Sequence, residues 1–170
     1  MTAAAAWFAR VGLPLASADV DEIREMLGGP TTPAGPGIRG IAHWHEAGEI
    51  IRAADWDTAS WDRDEDERQR LWQCAAERFG EDAILRQLTS ATDALADPLH
   101  GAAAIAAARE GVADPGLVRA AAGAALMAAH QSALARLAGE DERHFFARRF
   151  ALFAGGRWPL GEYRGQYCIF

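Results

Sequence analysis

The chain contains no lysine and no asparagine, so all 17 of its basic residues are arginine. Without lysine there can be no Schiff base, no covalently held pyridoxal phosphate and no Walker A phosphate loop. The accompanying abundance of Ala, Gly and Arg points to a GC-rich bacterial coding bias, so the arginines are not evidence of selection for phosphate binding. Cysteine is nearly absent as well. Cys74 and Cys168 have neither the number nor the spacing of a disulfide framework, a zinc site or a redox pair, and both are expected to be reduced.

Long apolar runs are also missing. The weakly polar stretch from Pro115 to Leu137 is broken by Arg119, His130, Gln131 and Arg136 and reads as a buried helix, not a membrane span. No basic segment precedes the apolar residues near Met1, so no signal peptide is expected and the location is expected to be cytoplasmic. A net charge of -7 opposes nucleic acid as a partner, because phosphates require a concentrated basic face.

What remains is an ordinary globular composition, 50% hydrophobic and 24% charged over 170 residues, sufficient for one helical domain with its own core. Amphipathic runs follow Ser17 and Asp19 up to Gly28, span Ile41 to about Ala54, Ser60 to Gly80 and Ile84 to Leu95, and resume from about Asp141 to Ala154. In the third of these, the acids from Asp62 to Glu67 precede Arg68 and Arg70, which predicts i,i+4 pairs Asp64 to Arg68 and Asp66 to Arg70. The dipeptides Asp97-Pro98 and Asp114-Pro115 each suggest an N-cap acid before a first-turn proline, opening two Ala-rich helices that pair as a close antiparallel hairpin.

Between Gly28 and Gly40, a Gly- and Pro-rich segment reads as an irregular loop. Its Gly35, Gly37 and Gly40 spell G-x-G-x-x-G, but a helix precedes them and Pro36 interrupts them, which argues against a dinucleotide loop. Residues 157–170 read as a non-helical aromatic tail resembling a short β-hairpin, packed on the helices because its apolar side chains would otherwise be exposed. The expected fold is therefore all-α, a single-domain bundle of about six to eight helices with this C-terminal tail.

No motif specifies a reaction. His43, Trp44, His45 and Glu46 form the densest group of potential ligands, and helical spacing pairs His43 with Glu46. His100 and His130 lie on the two Ala-rich helices. Together His43, Glu46, His100 and His130 are the candidates for a ligand or divalent-metal site between helices, since no single segment supplies three convergent ligands. His144, three residues after Asp141, resembles half of a di-iron carboxylate-x-x-His pair, but no second copy exists. Cys74 has no histidine near it in sequence, and no other nucleophile motif is present.

The acidic run from Asp55 to Glu67 and the basic set Arg143, Arg148, Arg149, Arg157 and Arg164 read as solvated faces, or as docking surfaces for partners of opposite charge. Trp158, Tyr163, Tyr167 and Phe170 are the candidate partner-binding residues. By elimination the sequence favours a non-catalytic accessory or interaction protein, such as a regulatory, immunity-like or assembly factor. It would bind another protein and neither nucleic acid nor a membrane, and a homo-oligomer is compatible with it. The rival is a small helical enzyme or ligand-binding protein built on the four His and Glu candidates.

Overall fold

The computed structural model describes residues 6–28, 36–56 and 58–170. In chain order these form α1 (Ser17–Met26), β1 (Gly37–Gly40), α2 (Trp44–Arg52), α3 (Ala59–Phe79), α4 (Glu81–Arg109), α5 (Pro115–Ala138), α6 (Phe145–Ala154), β2 (Pro159–Tyr163) and β3 (Gln166–Ile169). The architecture is mostly helical, with six helices and one small sheet among the described residues. None of the described helices is long and apolar enough to cross a membrane.

α5 is the axis of the bundle. Asp114 opens it as an N-cap, its carboxylate accepting the N–H groups of Gly116 and Leu117 at 2.9 and 3.1 Å. Pro115 gives up no hydrogen bond there, because first-turn N–H groups have no helical partner. Gly139 closes the helix in the left-handed conformation at φ 98°. Between these signals, Ala121, Ala122, Ala125 and Ala128 meet Ala103, Ala106 and Ala107 of α4 in the main core cluster. Side chains this small allow the two helix backbones to approach closely.

Asp97-Pro98 opens no helix. α4 runs unbroken from Glu81 to Arg109 with Pro98 inside it. Ile84, Leu88, Leu99, Ala103 and Ala106 are all buried, and half-buried Leu95 bridges them. This stripe keeps the helical period straight across the proline. A break would have torn one buried face in two, which costs more than the single backbone hydrogen bond a proline removes.

The C-terminal residues form the expected hairpin and also something the sequence did not announce. β3 pairs antiparallel with β2 and, on its other edge, parallel with β1, in register Ile38 to Tyr167 and Arg39 to Cys168. The Gly- and Pro-rich segment is therefore not irregular throughout, because Gly37–Gly40 is a strand. Its physical reason lies in β3, whose outer N–H and C=O groups would be left unpaired without β1. Gly37 and Gly40 are thus paired strand residues, while Gly35 lies outside the described residues, as do Pro30 and Pro33.

The sheet is sewn into the aromatic core. Trp158 and Phe170 exchange both backbone hydrogen bonds, at 2.6 and 2.8 Å. Buried Trp44 sits against both of their rings, with centroids 5.6 and 5.3 Å away. Gly156, at φ 95°, turns the chain out of α6 beneath the N-terminal segment. A Cβ at this position would lie 2.9 Å from the Ala6 carbonyl oxygen, so only glycine fits.

The two Asp-Pro sites now predict opposite outcomes. Asp114→Ala is expected to lower stability by about 1 kcal/mol through loss of the cap. Asp97→Ala is expected to be neutral or slightly stabilising, since Ala is the better residue inside an exposed helical turn. Urea denaturation of the two variants checks this, and equal losses would contradict the continuous α4.

Candidate functional site

Residues three and four apart on a helix share a face, so Ser60, Asp64 and Glu67 of α3 look the same way. They look toward the rest of the chain. Asp64 takes Arg149 of α6 in a two-point contact at 2.5 and 3.2 Å. Arg63 reaches Glu162 of β2 at 3.2 Å. Glu67 meets His144 at 2.8 Å and Arg70 at 2.6 Å. The anticipated pairs Asp64 to Arg68 and Asp66 to Arg70 do not form. Arg68 and Arg70 bond Glu65 and Glu67 instead, one residue closer, because Asp64 is committed to α6.

The acidic and basic segments are in part each other's partners, and Arg148 and Arg157 of the basic set reach acids of α1. Beyond Asp64 and Arg149, Asp55 pairs with Arg164 at 2.9 Å, and Arg148 pairs with Glu22 and Glu25 at 2.9 and 2.8 Å. Ion pairs dock the polar half of α3, while Leu71 and Ala75 in its second half dock through a small apolar cluster.

Between α3, α5, α6 and β2 these contacts leave a cleft of about 540 Å³. Phe145 and Phe153 line its inner wall, and Trp61 and Met127, each 55% exposed, stand at its mouth. Arg149 lies in the wall, its guanidinium 5.4 and 5.7 Å from the ring centroids of Phe145 and Phe146. The Tyr167 hydroxyl lies against it. Burial pushes that phenol up to about 12, with the Arg149 charge pulling the other way.

His144 caps α6. Its Nδ1 accepts the Phe146 N–H at 3.2 Å, which leaves Nε2 to donate to Glu67. Hydrogen bonding to Arg70, opposed by partial burial and aided by His144, holds the Glu67 carboxyl down at about 2. Both groups are thus engaged within the fold.

One polar side chain in the cleft is not spent. Gln131 is 8% exposed and lines the space, on the same α5 face as Ala124, Met127 and Ala128. Among the described residues no group hydrogen-bonds to its carboxamide. Its amide atoms are not sealed from solvent, so two donors and an acceptor open onto the cleft and are available to whatever occupies it. Sequence reading passed over Gln131 as an interruption in an apolar helix. The signal was there: an uncharged polar residue at the i+4 position from Met127 and the i+7 position from Ala124.

The residues singled out in the sequence are dispersed. His43 is exposed at the start of α2, 3.8 Å from Glu110 at the turn between α4 and α5. Glu46 is held by Arg39 at 2.5 Å. His130 lies fifteen residues beyond Pro115, about 22 Å along α5, and exposed His100 lies ten residues before Glu110, about 15 Å along α4. His43, at the turn end, is thus far from both along the helix axes, too far to share with either an ion whose ligands sit about 2 Å away. Among the described residues no three His, Cys, Asp or Glu side chains assemble as metal ligands.

His130 has a buried Nδ1 without a partner, and burial, with Arg68 nearby, lowers its affinity for a proton. Of the aromatic tail residues, Trp158, Tyr163, Tyr167 and Phe170 are all buried in the fold, so they offer little side chain to a docking partner. Cys74 and buried Cys168 are both free thiols. The chain matches no known family, no curated protein and no solved structure.

Because the Glu67 carboxyl is held low, its contribution to stability is full above its ordinary value of 4.5 and is lost as pH falls toward about 2. Glu67→Gln is expected to be less stable than the parent at pH 7, by up to about 1 kcal/mol. Melting curves of the two should converge between pH 4.5 and 2. A difference that persists undiminished at the acid end would show that Glu67 acts through packing alone.

Proposed function

We propose that the chain is a non-catalytic accessory protein, a regulatory, immunity-like or assembly factor of the cytoplasm, that acts by binding another protein through the cleft between α3, α5, α6 and β2. The observation that carries this reading is Gln131, a residue more than nine-tenths buried whose carboxamide has no partner among the described residues and opens on about 540 Å³ of space. Clefts of this size, mostly apolar with a few placed polar groups, are the usual form of a binding site. Trp61 and Met127 at the mouth are the residue types that anchor partners.

Support for a non-catalytic role comes from the walls. A general acid or base needs a proton to give or a lone pair to take one, but Asp64, Glu67 and Glu162 are each held by arginine. His144 has both ring nitrogens engaged. The free thiols Cys74 and Cys168 suit a reducing compartment.

Ala124 lines the cleft, and Ala124→Phe would fill much of it without touching an ion pair. Native mass spectrometry of the parent purified from its own source should show a bound polypeptide. The filled variant should lose that species while keeping its melting temperature within a few degrees. Retention of the partner by the filled variant would place the binding surface elsewhere.

A further inference from the structure

The chemistry of the cleft restricts what can occupy it. Two cations, Arg63 and Arg149, and three anions, Asp64, Glu67 and Glu162, line its walls. Each already has a partner of opposite charge within the chain. A charged ligand would meet groups already neutralised by their partners, so it would gain little from them while giving up its own hydration. An aliphatic or aromatic group meets no such obstacle. It can lie along Phe145 and Phe153 and between Trp61 and Met127, which are both more than half exposed.

Of the uncharged polar side chains that line the cleft, Gln131 is the one without a hydrogen bond among the described residues. A carboxamide presents N–H donors beside a C=O acceptor, so its natural complement is another group with one donor and one acceptor side by side. A peptide group has that form. A carboxylate lacks the donor and an ammonium lacks the acceptor, so either would meet only half of what the amide offers.

We infer that the cleft recognises an uncharged stretch of a partner's chain: an apolar or aromatic side chain seats between Trp61 and Met127, and the peptide group beside it bonds to the Gln131 carboxamide. This rests on the reading of the cleft as the binding site and adds the chemical class of its occupant. It identifies Gln131 as the residue that sets specificity, with the ion pairs of α3 forming a neutralised wall beside it.

Four small probes test it on the full chain by two-dimensional NMR, following the Gln131 side-chain amide and the Trp61 indole N–H. N-acetylphenylalaninamide carries an aromatic ring and two peptide groups without charge. N-acetylphenylalanine adds a carboxylate, phenylalaninamide adds an ammonium, and 3-phenylpropanamide keeps the ring with a single primary amide. The uncharged doubly capped probe should shift both signals and bind about tenfold more tightly than either charged probe. Gln131→Leu should keep its fold, as judged by the remaining spectrum, and lose about tenfold in affinity for that probe.

Tighter binding of the carboxylate probe would overturn the inference, because the arginines would then be setting the class. Equal binding of 3-phenylpropanamide and the capped residue would reassign the occupant to a free small amide. Unchanged binding by Gln131→Leu would remove the residue from the site. If none of the four probes shifts either signal up to its solubility limit, the assigned chemistry fails. The cleft reading would still be decided separately by partner retention in Ala124→Phe.

Discussion

Arg157 is the contact on which the fold depends. It follows α6, is 1% exposed, and donates to the carbonyl oxygens of Arg10, Leu13 and Pro14 at 2.7, 2.6 and 2.8 Å and to Asp19 at 2.9 Å. Asp19 in turn accepts from Arg10 at 2.7 Å and from the Ala16 N–H at 3.0 Å, fixing the first turn of α1. Burial works against the Asp19 charge, and these donors together outweigh it, so its carboxyl titrates below the usual range. A guanidinium in this position must be answered by carbonyls and a carboxylate, because an unanswered buried charge costs several kcal/mol. Its two terminal nitrogens are answered while buried Nε has no partner among the described residues, and those contacts bring the N-terminal segment, α1, the end of α6 and the start of β2 to one place.

The cleft follows from that arrangement. With Arg157 clamped, Trp158 leads directly into β2, and the hairpin returns through Tyr167 to Phe170. Tyr167 then backs Arg149, and Arg149 holds Asp64 of α3. The same chain of contacts that closes the core thus sets the wall of the cleft and neutralises it. Gln131, projecting from the Ala-rich axis of the bundle, is left as the polar group that faces the space unanswered. Structure and proposed function share one economy: charge is consumed in holding elements together, and an uncharged amide remains for recognition.

Much of the helical fold was legible because helices carry local signals. Asp114-Pro115 and Gly139 mark the ends of α5, and its apolar spacing marks the buried face. Asp97-Pro98 carries the same local signal and means something else, since the stripe from Ile84 to Ala106 outweighs it. β1 was invisible for a different reason. Gly-Ile-Arg-Gly has no alternation of its own, and what makes it a strand is an unpaired edge more than a hundred residues away. The candidate site was illegible in the same way. Asp64 with Arg149 and Arg63 with Glu162 are contacts between distant segments, whereas the His and Glu candidates stood out by local density, which carries no information about convergence.

The central claim, that the clamp on Arg157 holds the sheet and with it the cleft, is tested most directly by hydrogen exchange on Arg157→Met. The side chain keeps its bulk and loses its donors, with an expected cost of up to about 3 kcal/mol. Protection should fall together at residues 10–19, at the Ile41 N–H that bonds Ile169, and at the reciprocal Trp158 and Phe170 amides. Loss confined to residues 10–19, with the sheet amides as slow as in the parent, would contradict it.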